Sequence, residues 1–163
     1  MASQPEISAK VNGLVETKKK MEQIADDLKG PDMTNAVMSA ATLVMRDART
    51  NAPVNTGQLK NSIIAEIRPT MNNVQGVVGS NLKHAPWMEL GTGTFAGNSR
   101  YFPPPASLEL WAKRHGTTGY AVARAIFMRG GLKPRKYLQK AFEKNRPQIV
   151  KLIGNAVGRI VSK

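Results

Sequence analysis

The sequence predicts an α+β fold: a small, mainly antiparallel sheet flanked by two N-terminal helices, an inserted helical hairpin and a long C-terminal helix. Three observations carry this. Apolar residues recur at helical spacing up to residue 51 and again beyond residue 105. Only residues 62–68 and 74–80 are rich enough in β-branched residues to read as strands. A short segment, residues 69–73, separates those two and begins with Pro69, which makes them an antiparallel hairpin.

The elements follow in order. From residue 7 to 28, Ile7, Val11, Leu14, Val15, Met21, Ile24 and Leu28 approximate a helical stripe, which Gly30-Pro31 ends. Asp32 or Thr34 can cap a second helix over 33–51, whose stripe is Val37, Ala40, Ala41, Val44, Met45 and Ala48. Pro53 forbids smooth continuation. Asn55 or Thr56 can cap a short turn over 58–61, and the hairpin comes next. A third strand is expected around 87–90. Residues 91–100, rich in Gly, Thr and Asn, read as a mobile loop. Pro103-Pro104-Pro105 stiffens the chain before a helical hairpin over 106–115 and 120–129, its halves closed by Gly116 and Gly130-Gly131. In the last helix Leu138, Ala141, Phe142, Ile149, Ile153, Val157 and Ile160 keep helical spacing; Pro147 is expected to kink or restart it, with Asn145 as a cap.

A chain of 163 residues fits one domain. Its expected parts are an N-terminal helix (1–30), a helix and hairpin core (31–93), a loop with the inserted hairpin (94–131) and a C-terminal helix (132–163). Residues 1–10 contain Glu6 and no apolar run, so no secretory signal is expected there, nor is there a membrane-spanning stretch. A soluble protein made in the cytoplasm is expected. With no cysteine, disulfides and thiolate metal sites are excluded.

The net charge of +13 is unevenly spread. Residues 1–51 hold seven basic and seven acidic groups, whereas residues 100–163 hold fourteen basic groups against Glu109 and Glu143. Such a local excess points to DNA or to an acidic partner. Arg114, Arg124, Arg129, Lys133, Arg135, Lys136 and Lys140 are the candidate contacts.

Enzymatic chemistry is poorly supported. Gly91-Thr92-Gly93-Thr94-Phe95-Ala96 matches the letters of a dinucleotide fingerprint, but it runs into three prolines rather than opening a helix after a strand, so no cofactor is expected. His84 and His115 lack a second ligand at helical spacing, so no metal site is expected. Glu89 stands alone in the apolar run Pro86-Trp87-Met88-Glu89-Leu90; Glu66 and His84 are its nearest conceivable partners. A carboxylate paired with a basic group, or bonded to backbone N–H groups of the Gly91 turn, explains it better. Trp87 and Trp111 read as core or interface anchors.

Four ordered blocks remain: Ala-Pro-x-x-Thr-Gly-x-Leu-x-x-Ser (52–62), Val-Gly-Ser-Asn (78–81), Ala-Pro-Trp-Met-Glu-Leu-Gly-Thr-Gly (85–93) and Lys-Pro-Arg-Lys-Tyr-Leu-Gln-Lys-Ala-Phe (133–142). Together they resemble the tailed-phage minor structural proteins of the gene-product-ten type, over about residues 30–160. The residues that carry the resemblance include Pro53, Thr56, Gly57, Leu59, Gly79, Pro86, Trp87, Glu89, Gly91 and Pro134.

That resemblance implies a non-enzymatic virion component assembled in the host cytoplasm. It would form a homo-oligomeric ring, expected to be a hexamer, that joins head to tail or completes the head-proximal end of the tail. Neck, tail-terminator, tail-tube or tape-measure proteins would be its neighbours, and DNA could pass through the ring. The loop residues Gly93, Thr94, Phe95, Asn98, Arg100 and Tyr101 are candidate ring-to-ring contacts. The rival readings are a free-standing nucleic-acid-binding protein and a small hydrolase.

Overall fold

The computed structural model describes residues 5–71 and 73–162. Its elements are α1 (Pro5–Asp27), α2 (Pro31–Asn51), α3 (Gln58–Ser62), β1 (Ile63–Pro69), β2 (Val74–Ser80), α4 (Ala85–Leu90), a single 3-10 turn (Gly93–Ala96), α5 (Pro105–Arg114), α6 (Gly119–Met128) and α7 (Tyr137–Val161). The α+β class and the antiparallel two-stranded hairpin are as the sequence predicts.

The chain divides into two compact units. The first comprises Met1–Thr42, Glu66–Val77 and Pro147–Lys163. In it α1 is largely exposed from Leu14 onward: Leu14 is 70% exposed and Met21 66%. The side chains of Ile7 and Val11 lie outside the described residues. Pro31 opens α2, where its missing N–H costs nothing. The Thr34 hydroxyl donates back to Gly30 O at 3.0 Å rather than capping. Met33, Ala36, Ala40 and Ala41 of α2 are buried, as are Ala156 and Ile160 of α7. Small residues let backbones approach. A Cβ on Gly76 of β2 would stand 3.0 Å from Val37 Cγ1 and 3.3 Å from Ala41 Cβ, so that strand lies directly on α2. A two-stranded hairpin is marginal alone, and this packing supplies the missing support.

The second unit comprises Leu43–Ala65 and Val78–Arg146. Val44, Ala48, Leu59, Ile63, Ala85, Ala112, Ala123, Tyr137 and Ala141 form its interior. The Arg49 guanidinium donates twice to Ile63 O, at 2.7 and 3.0 Å, and so ties the start of β1 to α2. The Ser62 and Ser80 hydroxyls meet at 2.7 Å across the hairpin base. Helices α5 and α6 pack on each other as the expected hairpin. Thr118 Oγ1 caps α6 by accepting from Ala121 N–H at 3.3 Å.

Three local expectations are corrected. Residues 85–90 form helix α4, not a third strand, because Pro86 supplies a φ suited to a first helical turn and Gly91, with φ 79°, ends it. Gly57 in the left-handed conformation, rather than Asn55 or Thr56, precedes α3. Helix α7 continues through Pro147 without restarting. Proline removes a single N–H donor, and burial of Ala141 before it and of Ala156 and Ile160 after it keeps both sides helical. Asn145 accordingly lies inside the helix, and its Nδ2 donates to Ala141 O at 2.9 Å instead of capping.

Candidate functional site

The chemistry-bearing segments meet in the second unit, where the chain leaving α4 is laced to the chain entering α7. Gly91 to Thr94 and Gly130 to Leu132 run in opposite directions. Thr92 N–H donates to Leu132 O at 3.0 Å and Thr94 N–H to Gly130 O at 2.8 Å, while Thr92 Oγ1 accepts from Leu132 N–H at 2.9 Å. Gly93, with φ 59°, and Gly131, with φ 139°, cross here with no room for a side chain: a Cβ on either would fall inside contact distance of the other segment's backbone. The glycine-threonine run is therefore a backbone crossing, not a phosphate cradle.

Glu89 completes the lacing. Its Oε2 accepts from Leu138 N–H and its Oε1 from Gln139 N–H, both at 2.9 Å. These are second- and third-position amides of α7, two of the four donors a helix start leaves unpaired, and the carboxylate also suits the positive end of the helix dipole. Arg135 N–H and Lys136 N–H donate to Met88 O and Glu89 O at 2.8 and 3.2 Å. Lys136 takes φ 52° to do so, the one described non-glycine residue with positive φ. Tyr137, buried beside this link, has its phenol pushed above its ordinary value of 10.0 by burial first and the Glu89 charge second. Glu66 belongs to the first unit and stands 3.3 Å from Arg68. Glu89 thus does the work of a helix cap.

A second polar link ties α2 to α7. Asn145, itself buried, donates to Asp47 Oδ2 at 2.7 Å, and Lys144 Nζ lies 3.0 Å from the same oxygen. The Asn145 amide, and then Lys144, hold the Asp47 carboxyl below its ordinary 3.8. A carboxyl with a depressed folded value stabilises the fold above its unfolded value, and that contribution disappears as pH falls through the folded one. Wild type should therefore lose resistance to urea from about pH 4 downward more steeply than Asp47→Asn. Urea midpoints at neutral and acid pH, measured on both proteins, check this.

Of the residues carrying the resemblance, Leu59 is buried and Pro134 lies against Gly91, where a Cβ would come within 3.0 Å of its ring. Pro53 is half-buried and Thr56 exposed. A Cβ on Gly79 would meet nothing, so no steric reason for glycine appears there. Trp87, 56% exposed, is not a core residue. In the loop, Gly93 is buried, while Thr94, Phe95, Asn98, Arg100 and Tyr101 are exposed. Thr94 Oγ1 is directed at Gly130 O, at 3.2 Å.

The seven candidate cations are all exposed. Arg114 Nη1 donates to Asn55 Oδ1 at 3.1 Å, a neutral acceptor that does not offset its charge. Lys133, Arg135, Lys136 and Lys140 cluster around the α7 start, and none forms an ion pair among the described residues. Because Glu89 already fills the α7 start, these cations rather than the helix end would meet an anion. Among the described residues no group of three His, Asp or Glu side chains could hold a metal, and no helix is long and apolar enough to cross a membrane.

Sequence reasoning missed the surface made by Phe102, Tyr120 and Phe127. Phe102 contacts both other rings, with centroids 5.9 and 6.0 Å apart. Tyr120, Arg124 and Phe127 at i, i+4 and i+7 was the signal available for it.

Comparison with known families finds a match. Residues 14–91 fit the family described as "Bacteriophage HK97-gp10, putative tail-component". No curated protein and no solved structure matches the chain. The resemblance to the gene-product-ten type is thus borne out over residues 14–91. The blocks at 52–62 and 78–81 and most of the 85–93 block fall inside the match; the α5–α6 hairpin and the basic 133–142 block fall outside it.

Proposed function

We infer, from similarity to a phage tail component across residues 14–91, that this chain is a structural protein of a tailed-phage virion. It acts by assembly rather than catalysis. The finer reading is that copies close into a homo-oligomeric ring, taken as a hexamer, which joins head to tail or completes the head-proximal end of the tail. Its neighbours in that position would be neck, tail-terminator, tail-tube or tape-measure proteins.

The family match carries this reading, and two features support it. Leu14 and Met21 are exposed on α1, and Trp87 and Leu90 on α4, large apolar groups that a subunit interface would cover. The exposed cations of the last third suit DNA passing through a ring, or an acidic neighbour. Replacing Leu14 and Met21 by aspartate tests the ring directly. Assemblies should fall to single chains with the thermal melt unchanged; unchanged assemblies would remove α1 from the interface.

The clustered cations around the α7 start favour one second reading, a free-standing DNA-binding protein. That protein would bind duplex DNA as a single chain, with affinity falling steeply as salt rises.

A further inference from the structure

The α5–α6 hairpin carries an exposed aromatic surface outside the family match. Phe102 leans on Tyr120 and Phe127, with interplanar angles of 52° and 58°. Along α6, Tyr120, Arg124 and Met128 follow at i, i+4 and i+8 and are exposed, while Phe127 is half-buried, one turn beyond the buried Ala123. Tyr120 and Met128 are each 62% exposed. Pro103, Pro104 and Pro105 follow Phe102 directly and fix the chain there, so the surface is set before anything binds.

We propose that this surface docks an acidic segment of a different virion protein, with apolar side chains covering Phe102, Tyr120 and Phe127 and carboxylates facing Arg124. The proposal rests on the tail-component reading, which supplies the partner. Exposed aromatic, methionine and arginine side chains on a rigid support are the composition of energetic centres in protein interfaces. Charge selects the occupant. The hairpin and the residue after it carry the exposed cations Lys113, Arg114, Arg124 and Arg129, and its lone carboxylate, Glu109, is engaged by Gly119 N–H at 2.8 Å. A second copy placed symmetrically on this face would set Arg124 against Arg124, which opposes pairing. Duplex DNA would satisfy the cations but leave the exposed rings of Phe102 and Tyr120 without apolar cover. An acidic, apolar protein segment satisfies both.

The test is a fluorescence titration of the purified protein with a labelled synthetic peptide of about five helical turns, leucine and phenylalanine on one stripe and glutamate elsewhere. A second peptide has serine at every apolar position, and a DNA duplex is the third probe. The first peptide should bind. The serine peptide should be weaker by at least on the order of tenfold, as should Arg124→Glu and the Tyr120→Ser, Phe127→Ser double variant with the first peptide. Should the double variant fail to fold, the exposed Arg124→Glu still decides. Equal binding of both peptides, or displacement of the first by the duplex, overturns the proposal. A change in native mass on Arg124→Glu would make the face a contact between copies and overturn it too. The ring reading fails separately: a single chain that still binds the first peptide upholds the docking surface and contradicts the ring.

Discussion

Gly93→Ala is expected to lower the stability of the protein by about 4 kcal/mol, near the upper end for a single substitution. Two costs coincide. The residue sits at φ 59°, which a side chain disfavours, and its Cβ would be driven into the Gly130 carbonyl. The obstacle is backbone, so no rotamer change relieves it. Relief requires opening the crossing, and with it the bonds of Thr92 to Leu132 and of Thr94 to Gly130. For a chain of this length the thermal midpoint should fall by on the order of 10 °C. Gly131→Ala, with φ 139° and a Cβ aimed at the Thr92 carbonyl, should behave alike. Gly97→Ala is the control: φ is 74°, but a Cβ meets nothing, so only the backbone cost remains, about 1 kcal/mol. Equal melts for Gly93→Ala and Gly97→Ala would show that the crossing is not formed in solution.

Glu89→Ala is expected to cost about 3 kcal/mol, because a charged acceptor is removed from two backbone donors at once. Glu89→Gln keeps one acceptor oxygen and should recover part of the loss. The loss is local. Hydrogen exchange at Leu138 and Gln139 should accelerate in Glu89→Ala more than exchange at the far end of α7. The Tyr137 phenol should titrate at lower pH in Glu89→Gln, though still above 10.0, since burial is the larger cause of its raised value. A hydrolase would behave otherwise, losing turnover with its melt and exchange intact.

Much of the fold was legible because periodicity reports it. The small-residue stripe of α2 and the β-branched runs of the hairpin stand out locally, and so do Gly30-Pro31 and Gly130-Gly131 as stops. Helix α4 did not stand out. Six residues are too short for a helical period, and Trp-Met-Glu-Leu after a proline reads equally well as extended chain. The α1 stripe was legible as helix, but periodicity shows which side is apolar and not what covers it; Leu14 and Met21 prove exposed.

The laced region was legible only in part. A lone carboxylate before Gly91 suggested backbone N–H partners in the Gly91 turn itself, but the amides it takes belong to Leu138 and Gln139, far along the chain. Asn145 was misread for the same reason. Its partner Asp47 lies on another helix, while the local cue, an amide ahead of Pro147, favoured a cap. Phe102 and Tyr120 are brought together by the Pro103 to Pro105 segment and the α5–α6 turn, a juxtaposition that no spacing rule encodes.

Assembly is the central claim, and native mass measurement of the purified full chain, alone and mixed with the neighbouring tail proteins, tests it most directly. A closed oligomer, six chains on the present reading, should form alone or on mixing, and should disappear when Leu14 and Met21 are both aspartate. A folded single chain at every concentration, unchanged by those neighbours and missing from virions, would contradict it.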